Sequence, residues 1–494
     1  MRKDFTRLAK IALIYGSGTV VAQAAAVLLL PLYSRALTPA DYGILAVVGL
    51  ATGIITPFLS MGLGNGLVRY YYEYESAQER QQLVRTCLVA VVMTSLAVTA
   101  LAWVALEPVV RVVFSSADYT SYLRIGLATA FFTSLAAIPR YTLRVQQRAT
   151  WFVAFTVGQL LFSIGLGIYL VVIRHYGVMG ALTAGLIGSV AAALAINILT
   201  LLENGLGRVS VPMVLRCFRF GIYQVPDSIG AATIGLADRW FIERYSTLAN
   251  LGLYNVGYRF GQGVQILAVG PLEQAAGPYA YSTLKRPDFR PLWARITTYS
   301  LLVAAFVALL ISLHSDNIVR LLTVPAYYGA AAVAPLIALA SVLELTNWCV
   351  SGGFGFAEKP KFAFAMTVLG GIVNLLANWV LVPRYGMMGA ASSTILAFAF
   401  MSVASYVLAQ RLYPIRYEYG RVARIIVAAL GLFAVGRLTA VDNLAANFLL
   451  QSLLALALFP ALLATGFFTK SEINTVTRAW TALKERRLPE IGRA

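Results

Sequence analysis

Charged residues are scarce in this chain of 494 residues. They make up 12% of it, whereas soluble domains carry about 25%. Hydrophobic residues account for 59%. A water-soluble core could not bury so much apolar surface, which excludes an ordinary soluble protein. The composition therefore predicts an integral membrane protein.

Residue types that carry chemistry are also few. The chain has two histidines and three cysteines, and none has a partner at the spacing of a metal or redox site. It contains no Walker loop and no glycine-rich segment that opens a βαβ unit. The connections between apolar runs are too short to hold a soluble catalytic domain. We therefore expect no enzyme activity, no cofactor, no metal and three free thiols.

Long apolar runs, by contrast, are abundant. Each is about twenty residues long, which is the length an α-helix needs to cross the hydrocarbon core. The sequence predicts an all-α integral membrane fold with about fourteen spans: 11–33, 43–62, 84–106, 121–138, 151–173, 178–201, 218–237, 252–272, 296–313, 330–350, 362–382, 388–410, 422–440 and 447–468.

The formal charge of +18 has two interpretations, nucleic-acid binding or orientation in a membrane. Most of the 39 lysines and arginines fall in alternate connections, together with the first residues and the tail. Cytoplasmic loops of membrane proteins are enriched in these residues. The charge therefore indicates topology, and we expect both termini in the cytoplasm and no nucleic-acid partner.

A six-residue motif occurs twice, 209 positions apart, as YGVMGA at 176–181 and YGMMGA at 385–390. The same offset aligns a second set of residues: Thr38, Ala40, Gly43 and Val47 with Thr247, Ala249, Gly252 and Val256. A parallel repeat in a membrane chain predicts two lobes with a pathway between them. Chance similarity among apolar helices is the alternative.

The repeat suggests a division of the chain. Residues 1–201 would form an N-terminal six-helix lobe, and 202–217 a cytoplasmic linker. Residues 218–410 would form a C-terminal six-helix lobe, and 411–494 two further spans with a basic cytoplasmic tail.

The eighth predicted span carries a polar stripe. Asn255, Arg259 and Gln262 share one helix face, and Glu273 returns to that face five turns after Asn255. An ionisable group within the bilayer costs at least ~2.5–3.5 kcal/mol, so such a stripe is a candidate for substrate binding. The alternative is a structural Arg–carboxylate pair that holds helices together.

Other polar residues lie within or beside the spans. Glu344 is the deepest acid and, with Asp227 and Glu273, is a candidate for ion coupling, because a buried carboxylate can change charge during transport. Three amides could line a cavity or hold helices together; they are Gln23, Asn374 and Asn378. Asp238 and Arg239 fall near the predicted outer interface, where reaching water explains them.

Several motifs, in this order and spacing, resemble the polysaccharide-transport flippases of the multidrug/oligosaccharidyl-lipid/polysaccharide (MOP) superfamily. They are SRALTPADYG at 34–43, GLVRYYY at 66–72, Asp238-Arg239 with Gly252-Leu253-Tyr254, and the segment 374–390 that ends in the repeated motif. The likeness covers nearly the whole chain.

This resemblance implies a V-shaped pair of lobes and alternating access, which carries a lipid-linked oligosaccharide of the undecaprenyl-pyrophosphate type to the outer leaflet of a bacterial inner membrane. Cationic cavity residues hold the pyrophosphate in such flippases. Arg259 is the best match here, with Arg69 and Arg35 at the two mouths as lesser candidates. Membrane lipids, a polysaccharide polymerase and a chain-length regulator are the implied partners, and O-antigen or exopolysaccharide the implied product.

Three alternatives remain open. A multidrug or toxin extruder of the same superfamily would favour a cavity rich in acids and aromatics. A lipid II flippase is also built with fourteen spans. An integral-membrane glycosyltransferase or polymerase would need acidic residues in a large outer loop.

Overall fold

The computed structural model describes residues 29–113, 119–205, 207–222, 236–359, 361–469 and 472. Within these ranges the chain is mostly helical and has no β-strand. The first and seventh predicted spans lie largely outside them, and so do two candidate residues, Gln23 and Asp227.

The first repeat begins with seven helices that run from the end of the first predicted span to the fifth. They are α1 (Leu30–Ala36), α2 (Pro39–Ser60), α3 (Leu63–Tyr71), α4 (Ala77–Val113), α5 (Tyr119–Leu135), α6 (Ala137–Val145) and α7 (Ala149–Gly167). A π-helical turn, Ile168–Ile173, continues α7, and the repeat ends with α8 (Gly177–Asn204). Residues 205 and 207–210 lead into α9 (Val211–Gly221), so residues 211–217 of the predicted linker are helical.

The second repeat contributes α10 (236–245), α11 (Leu248–Gly261), α12 (Gly270–Thr283), α13 (Phe289–Leu322), α14 (Val333–Phe356) and α15 (Lys361–Leu412). A π-helical turn, Gln265–Val269, joins α11 to α12, and a 3₁₀ segment, Pro325–Ala332, precedes α14. The C-terminal helices are α16 (Tyr419–Leu438), α17 (Leu444–Leu456) and α18 (Leu458–Ala464).

Nine stretches within the described ranges are long and apolar enough to cross a membrane. One of them is the 52-residue α15, which covers the eleventh and twelfth predicted spans and bends at Gly386. The all-α, multi-pass membrane fold is therefore confirmed. The count of fourteen spans stays a prediction.

Equivalent residues of the two repeats have equivalent local structure. Thr38 caps α2 by accepting a hydrogen bond from the backbone of Asp41, and Thr247 caps α11 in the same way. Gly177 and Gly386, in the two copies of the six-residue motif, have φ of +56° and +53°. Only glycine adopts this left-handed conformation without strain, which explains why the motif keeps it.

The two repeats touch, backbone against backbone, where α2 meets α11. A Cβ atom added to Gly43 would overlap the carbonyl of Leu248, and one added to Gly252 would overlap the carbonyl of Pro39. Position 43 corresponds to 252 and position 39 to 248 under the 209-residue offset. The contact is therefore reciprocal, as in a twofold-symmetric interface.

A second contact lies at the other end of α2, which the charge pattern places at the cytoplasm. Gly62, with φ of +68°, and Gly221 are packed so closely that a Cβ atom on either would overlap the backbone of the other. Nearby, Arg216 of α9 forms a 2.7 Å ion pair with Glu73, which follows α3. In this conformation the two repeats therefore meet at both ends of α2.

Replacing Gly43 or Gly252 with alanine should destabilise the protein by about 1–3 kcal/mol, because the added methyl group has to push two backbones apart. Gly49→Ala on the same helix is the matched control, since a Cβ atom there meets nothing within 4 Å. Alanine in an open helical position should instead stabilise slightly. The midpoint of thermal unfolding in detergent distinguishes these two outcomes. Equal shifts of the midpoint in Gly43→Ala and Gly49→Ala would contradict the backbone contact between α2 and α11.

Candidate functional site

Asp238, at the start of the described part of α10, is completely buried, with 0% of its surface exposed. Its Oδ2 accepts hydrogen bonds from the Tyr254 hydroxyl at 2.5 Å and the Thr394 hydroxyl at 2.6 Å. Its Oδ1 accepts from the amides of Asn378 at 2.8 Å and Asn374 at 3.4 Å. The carboxylate thus joins α10, α11 and α15, and its desolvation is offset by four donors.

The interpretation of Asp238 as a group that reaches water is wrong, because the side chain is enclosed by three helices. Asn374 and Asn378 are also completely buried. They line no open space in this conformation. Of the two roles considered for these amides, lining a cavity and holding helices together, their contacts fit the second. Their spacing of four residues places both on one face of α15, towards Asp238.

One oxygen of this cluster lacks a donor. Asn378 Oδ1 is buried and accepts no hydrogen bond in the described part of the protein. The orientation of an amide is inferred from its partners, so turning this amide would direct its oxygen at the carboxylate. The site would then present carboxylate, amide and hydroxyl oxygens to one point. Hard cations prefer such oxygen ligands.

Arg239 forms a second polar group between α10 and α11. Its guanidinium lies 3.3–3.4 Å from Asn255 Oδ1 and 4.8 Å from the centre of the Tyr258 ring. Tyr258 also interacts with Gln262 and lies near Glu344. Asn255 and Gln262, which the sequence placed on one helix face with Arg259, therefore interact with Arg239 and Tyr258 of the second repeat itself. Sequence reasoning missed the role of Arg239, because its contacts with α11 come from residues that follow it by 16 and 19 positions.

Glu273 and Glu344 lie close enough to interact electrostatically, and both are half-buried. Counting five α-helical turns from Asn255 to Glu273 does not describe this span, because the π turn Gln265–Val269 shifts the register. The structure nevertheless brings two of the three predicted ion-coupling acids together.

Arg259 has a different environment from its neighbours. It follows Gly252 by seven residues on the face of α11 that meets the first repeat. The side chain is exposed and lies near Tyr42 of α2. Among the described residues it has no ion-pair or side-chain hydrogen-bond partner. Arg259 therefore offers an uncompensated positive charge on the side of α11 that faces the other repeat.

Arg69 and Arg35, the two lesser candidates for binding the pyrophosphate, differ in their ionic partners. Arg69 forms an i,i+4 ion pair of 2.7 Å with Glu73, the same carboxylate that binds Arg216. One acid thus serves two arginines at the cytoplasmic contact. Arg35 is exposed at the end of α1 and has no ionic partner in the described ranges. Arg69 lies in the last turn of α3 and Arg259 in the last turn of α11, and no described contact joins them.

An apolar cavity of about 570 Å³ lies between the repeats. Its walls come from α2, α4 and α5 of the first repeat and from α10 and α15 of the second. The lining is made of aliphatic and aromatic side chains, including Phe58, Trp240 and Leu375. Such a lining suits hydrocarbon and offers nothing to a polar group.

The expectation of three free thiols is confirmed. Cys87 of α4 and Cys217 of α9 nevertheless approach each other, with their sulfur atoms 3.8 Å apart. Cys349 is buried on its own in the second repeat. No group of three or more metal-ligating side chains occurs in the part of the chain that the structure covers.

The arrangement of helices defines a class of membrane proteins. The structure of the lipid II flippase MurJ in an inward closed conformation superimposes with a TM-score of 0.72 at 17% identity, covering 93% of this chain and 100% of that one. An inward-facing multidrug resistance MATE family transporter of the MOP superfamily gives 0.66 at 13% identity, covering 82% and 95%. The chain therefore has the MOP-superfamily fold.

Sequence comparison narrows this class. The family described as "Polysaccharide biosynthesis protein" matches residues 8–283, more than half of the chain. The chain belongs to this family. The resemblance inferred from its motifs is confirmed for family and fold.

Two curated archaeal relatives extend the comparison. "Probable low-salt glycan biosynthesis flippase Agl15" of Haloferax volcanii is 23% identical over 257 residues, which are 50% of this chain and 53% of the relative. An uncharacterised membrane protein of Methanocaldococcus jannaschii is 20% identical over 277 residues, 53% of this chain and 52% of the relative. The chain spans about half the length of the curated relatives it matches.

Replacing Asp238 with alanine should destabilise the protein by ~1–3 kcal/mol, because buried donors on α11 and α15 lose their acceptor. Glu107→Ala is the matched control, since this carboxylate forms an exposed ion pair with Arg124 that should contribute little. Thermal unfolding in detergent measures both. A loss no larger for Asp238→Ala than for Glu107→Ala would rule out the buried cluster.

Proposed function

We propose that this protein flips a lipid-linked oligosaccharide from the cytoplasmic to the outer leaflet for the synthesis of a surface polysaccharide. Family membership, the MOP-superfamily fold and the glycan flippase among its relatives support a flippase. The observation that favours an anionic lipid-linked cargo is Arg259, whose guanidinium has no partner among the described residues and lies on the face of α11 that meets the first repeat.

Arginine suits a pyrophosphate for physical reasons. Its guanidinium stays charged at every physiological pH and presents a fork of donors to phosphate oxygens. An unpaired charge within the membrane region is costly, so a bound anion would stabilise it. Arg239, although near, already interacts with Asn255 and Tyr258. Arg259 is therefore the residue that we assign to the pyrophosphate, with Arg35 as a second contact.

The rest of the cargo requires two further environments. The apolar cavity of about 570 Å³ between the repeats would accept part of an isoprenoid tail. The glycan would occupy the polar space beside Arg259. The contact of α2 with α11 would open while that of α3 with α9 stays closed, and then the reverse, which is alternating access about a fixed site.

We assign the coupling ion to the Asp238 cluster. The oxygens of Asp238, Asn374, Asn378 and Thr394 form a set that suits a monovalent cation such as Na⁺, and the unpaired Asn378 oxygen supports this. Cation binding there would change the packing of α10 against α11 and α15. Glu273 and Glu344, which are close together, are the alternative and would carry a proton.

The charge pattern supports both termini in the cytoplasm, and a bacterial inner membrane is the location that the resemblance to the flippase family implies. A polysaccharide polymerase and a chain-length regulator are the partners that would use the product on the outer side. A multidrug extruder and a lipid II flippase share the fold and stay the competing functions.

Replacing Arg259 with alanine should lower the flipping rate by about tenfold or more, because a charge-assisted hydrogen bond to phosphate contributes ~1.5–3 kcal/mol. Arg259→Lys should restore part of the rate, since it keeps the charge but loses the fork. The readout is surface glycan together with lipid-linked intermediates in the host. Intermediates should accumulate on the cytoplasmic side while protein levels hold.

Arg124→Ala is the control for this experiment, since Arg124 pairs with Glu107 at an exposed position. Unchanged polymer in Arg259→Ala would refute the assignment of the pyrophosphate site. A deletion strain with normal glycan and a new sensitivity to cationic drugs would instead identify an extruder.

Sodium chloride should raise the unfolding midpoint of the purified protein at constant ionic strength, with choline chloride as the balancing salt, because an ion that binds only the folded state stabilises it. Asp238→Asn should abolish the effect, and Glu344→Gln should leave it intact. Stabilisation by Na⁺ that survives Asp238→Asn would place the ion elsewhere. Transport driven by a proton gradient without Na⁺ would favour Glu273 and Glu344.

A further inference from the structure

A polar pocket of about 200 Å³ lies apart from the space between the repeats, where the C-terminal end of α13 meets α16 and α17. These helix ends are on the side that the charge pattern places outside the cell. We call it the outer pocket. Its charged walls are Asp316, Arg320, Arg437 and Asp442, and its floor is polar as well.

Three buried amides form the floor. Asn317 is 3%, Asn447 8% and Gln451 2% exposed. Asn447 donates to Asn317 Oδ1 at 2.8 Å, and Gln451 donates to the Gly436 carbonyl at 2.9 Å and to Asn447 Oδ1 at 3.3 Å. Gln451 Oε1 has no donor among the described residues, although the residue is almost completely buried and lines the pocket. A buried acceptor without a partner is costly unless a ligand or water supplies the donor.

Helix docking alone does not require this arrangement. A hydrogen bond between Asn317 and Asn447 is enough to attach α17 to α13, and amides commonly hold membrane helices together. Such contacts leave no cavity and need no ring of charges around them. The pocket, its charged rim and the unpaired oxygen therefore indicate a ligand.

Charge indicates which class of ligand the pocket takes. Arg437 forms an ion pair with Asp316, and these two charges cancel. Arg320 and Asp442 carry opposite charges as well, so the lining is neutral. An ion of either sign would need an excess of the opposite charge. A neutral ligand with many hydroxyl groups uses donors and acceptors together, and the guanidinium, carboxylate and amide groups present both.

Size restricts the ligand further. Pockets for drug-sized ligands are about 300–1,000 Å³, so a pocket of about 200 Å³ takes one ring and not an oligosaccharide. Leu313 and Leu444 provide apolar contacts beside the amides. They suit the C–H face of a sugar ring, whose edge carries the hydroxyl groups.

We infer that the outer pocket binds a single sugar unit of the glycan once it has reached the outer side. This inference rests on the proposed function for the source of the sugar, and not for the chemistry of the pocket. The site would hold the delivered glycan away from the space between the repeats. The helices α16 and α17, which follow the duplicated part of the chain, would then take part in binding the glycan.

The test uses the full-length protein in lipid nanodiscs and saturation-transfer difference NMR with glucose, galactose and N-acetylglucosamine as probes. At least one sugar should give a signal. Gln451→Leu and Asp442→Asn should each weaken its binding by about fivefold, as expected for one lost hydrogen bond. Asp442 is exposed, so its replacement does not endanger folding.

Ser452→Ala is the matched control, because Ser452 is adjacent to Gln451 and lies outside the pocket lining. It should bind like the wild type. The absence of any protein-dependent sugar signal would overturn the inference. So would a signal lost in Arg259→Ala and unchanged in Gln451→Leu and Asp442→Asn, since the sugar would then bind between the repeats.

A separate flipping assay in proteoliposomes keeps the two proposals distinguishable. Sugar binding that depends on Gln451 and Asp442, without movement of lipid-linked oligosaccharide, would leave the outer pocket standing and remove the proposed function. Flipping of lipid-linked oligosaccharide without sugar binding would support the proposed function and overturn the inference about the outer pocket.

Discussion

The contact between α2 and α11 is the interaction on which the arrangement of the two repeats depends. In a bilayer, lipid tails are as apolar as leucine, so helices gain little by burying apolar side chains against each other. Close packing and hydrogen bonds have to hold them. Gly43 and Gly252 allow two backbones to meet directly, and the threonine caps beside them fix where each helix begins.

Polar groups in this protein fall into two kinds, and the difference follows from hydrogen bonding. Asp238 is surrounded by donors from α11 and α15, so its charge is compensated inside the protein. Arg259 has no such partner in the described part of the chain and lies on the face of α11 that meets the other repeat. An uncompensated guanidinium is available to an anionic ligand, whereas a carboxylate with four donors joins helices and can bind a cation only if a donor turns away.

Local patterns predicted much of the fold. Apolar runs marked most of the helices, and the repeat in the sequence identified equivalent caps at Thr38 and Thr247 and equivalent left-handed glycines at 177 and 386. The Asp238 cluster could not be predicted in this way, because its members come from positions 238, 254, 374, 378 and 394. No periodicity links such distant residues. The π turn after α11 could not be predicted from the sequence either, because a one-residue change in helix register does not alter the amino-acid composition of the segment.

The reciprocity of the glycine contact has a consequence for the origin of the chain. Each repeat presents the same patch, a glycine at one position and a carbonyl four residues before it, to the same patch of the other. Parallel repeats of this kind are related by an axis along the membrane normal. A chain of half this length could therefore have made the contact with its own copy, as a homodimer. Fusion of the two genes would have kept that interface and allowed the halves to diverge, so that the second repeat now carries Arg259 where the first carries Leu50 at the equivalent position.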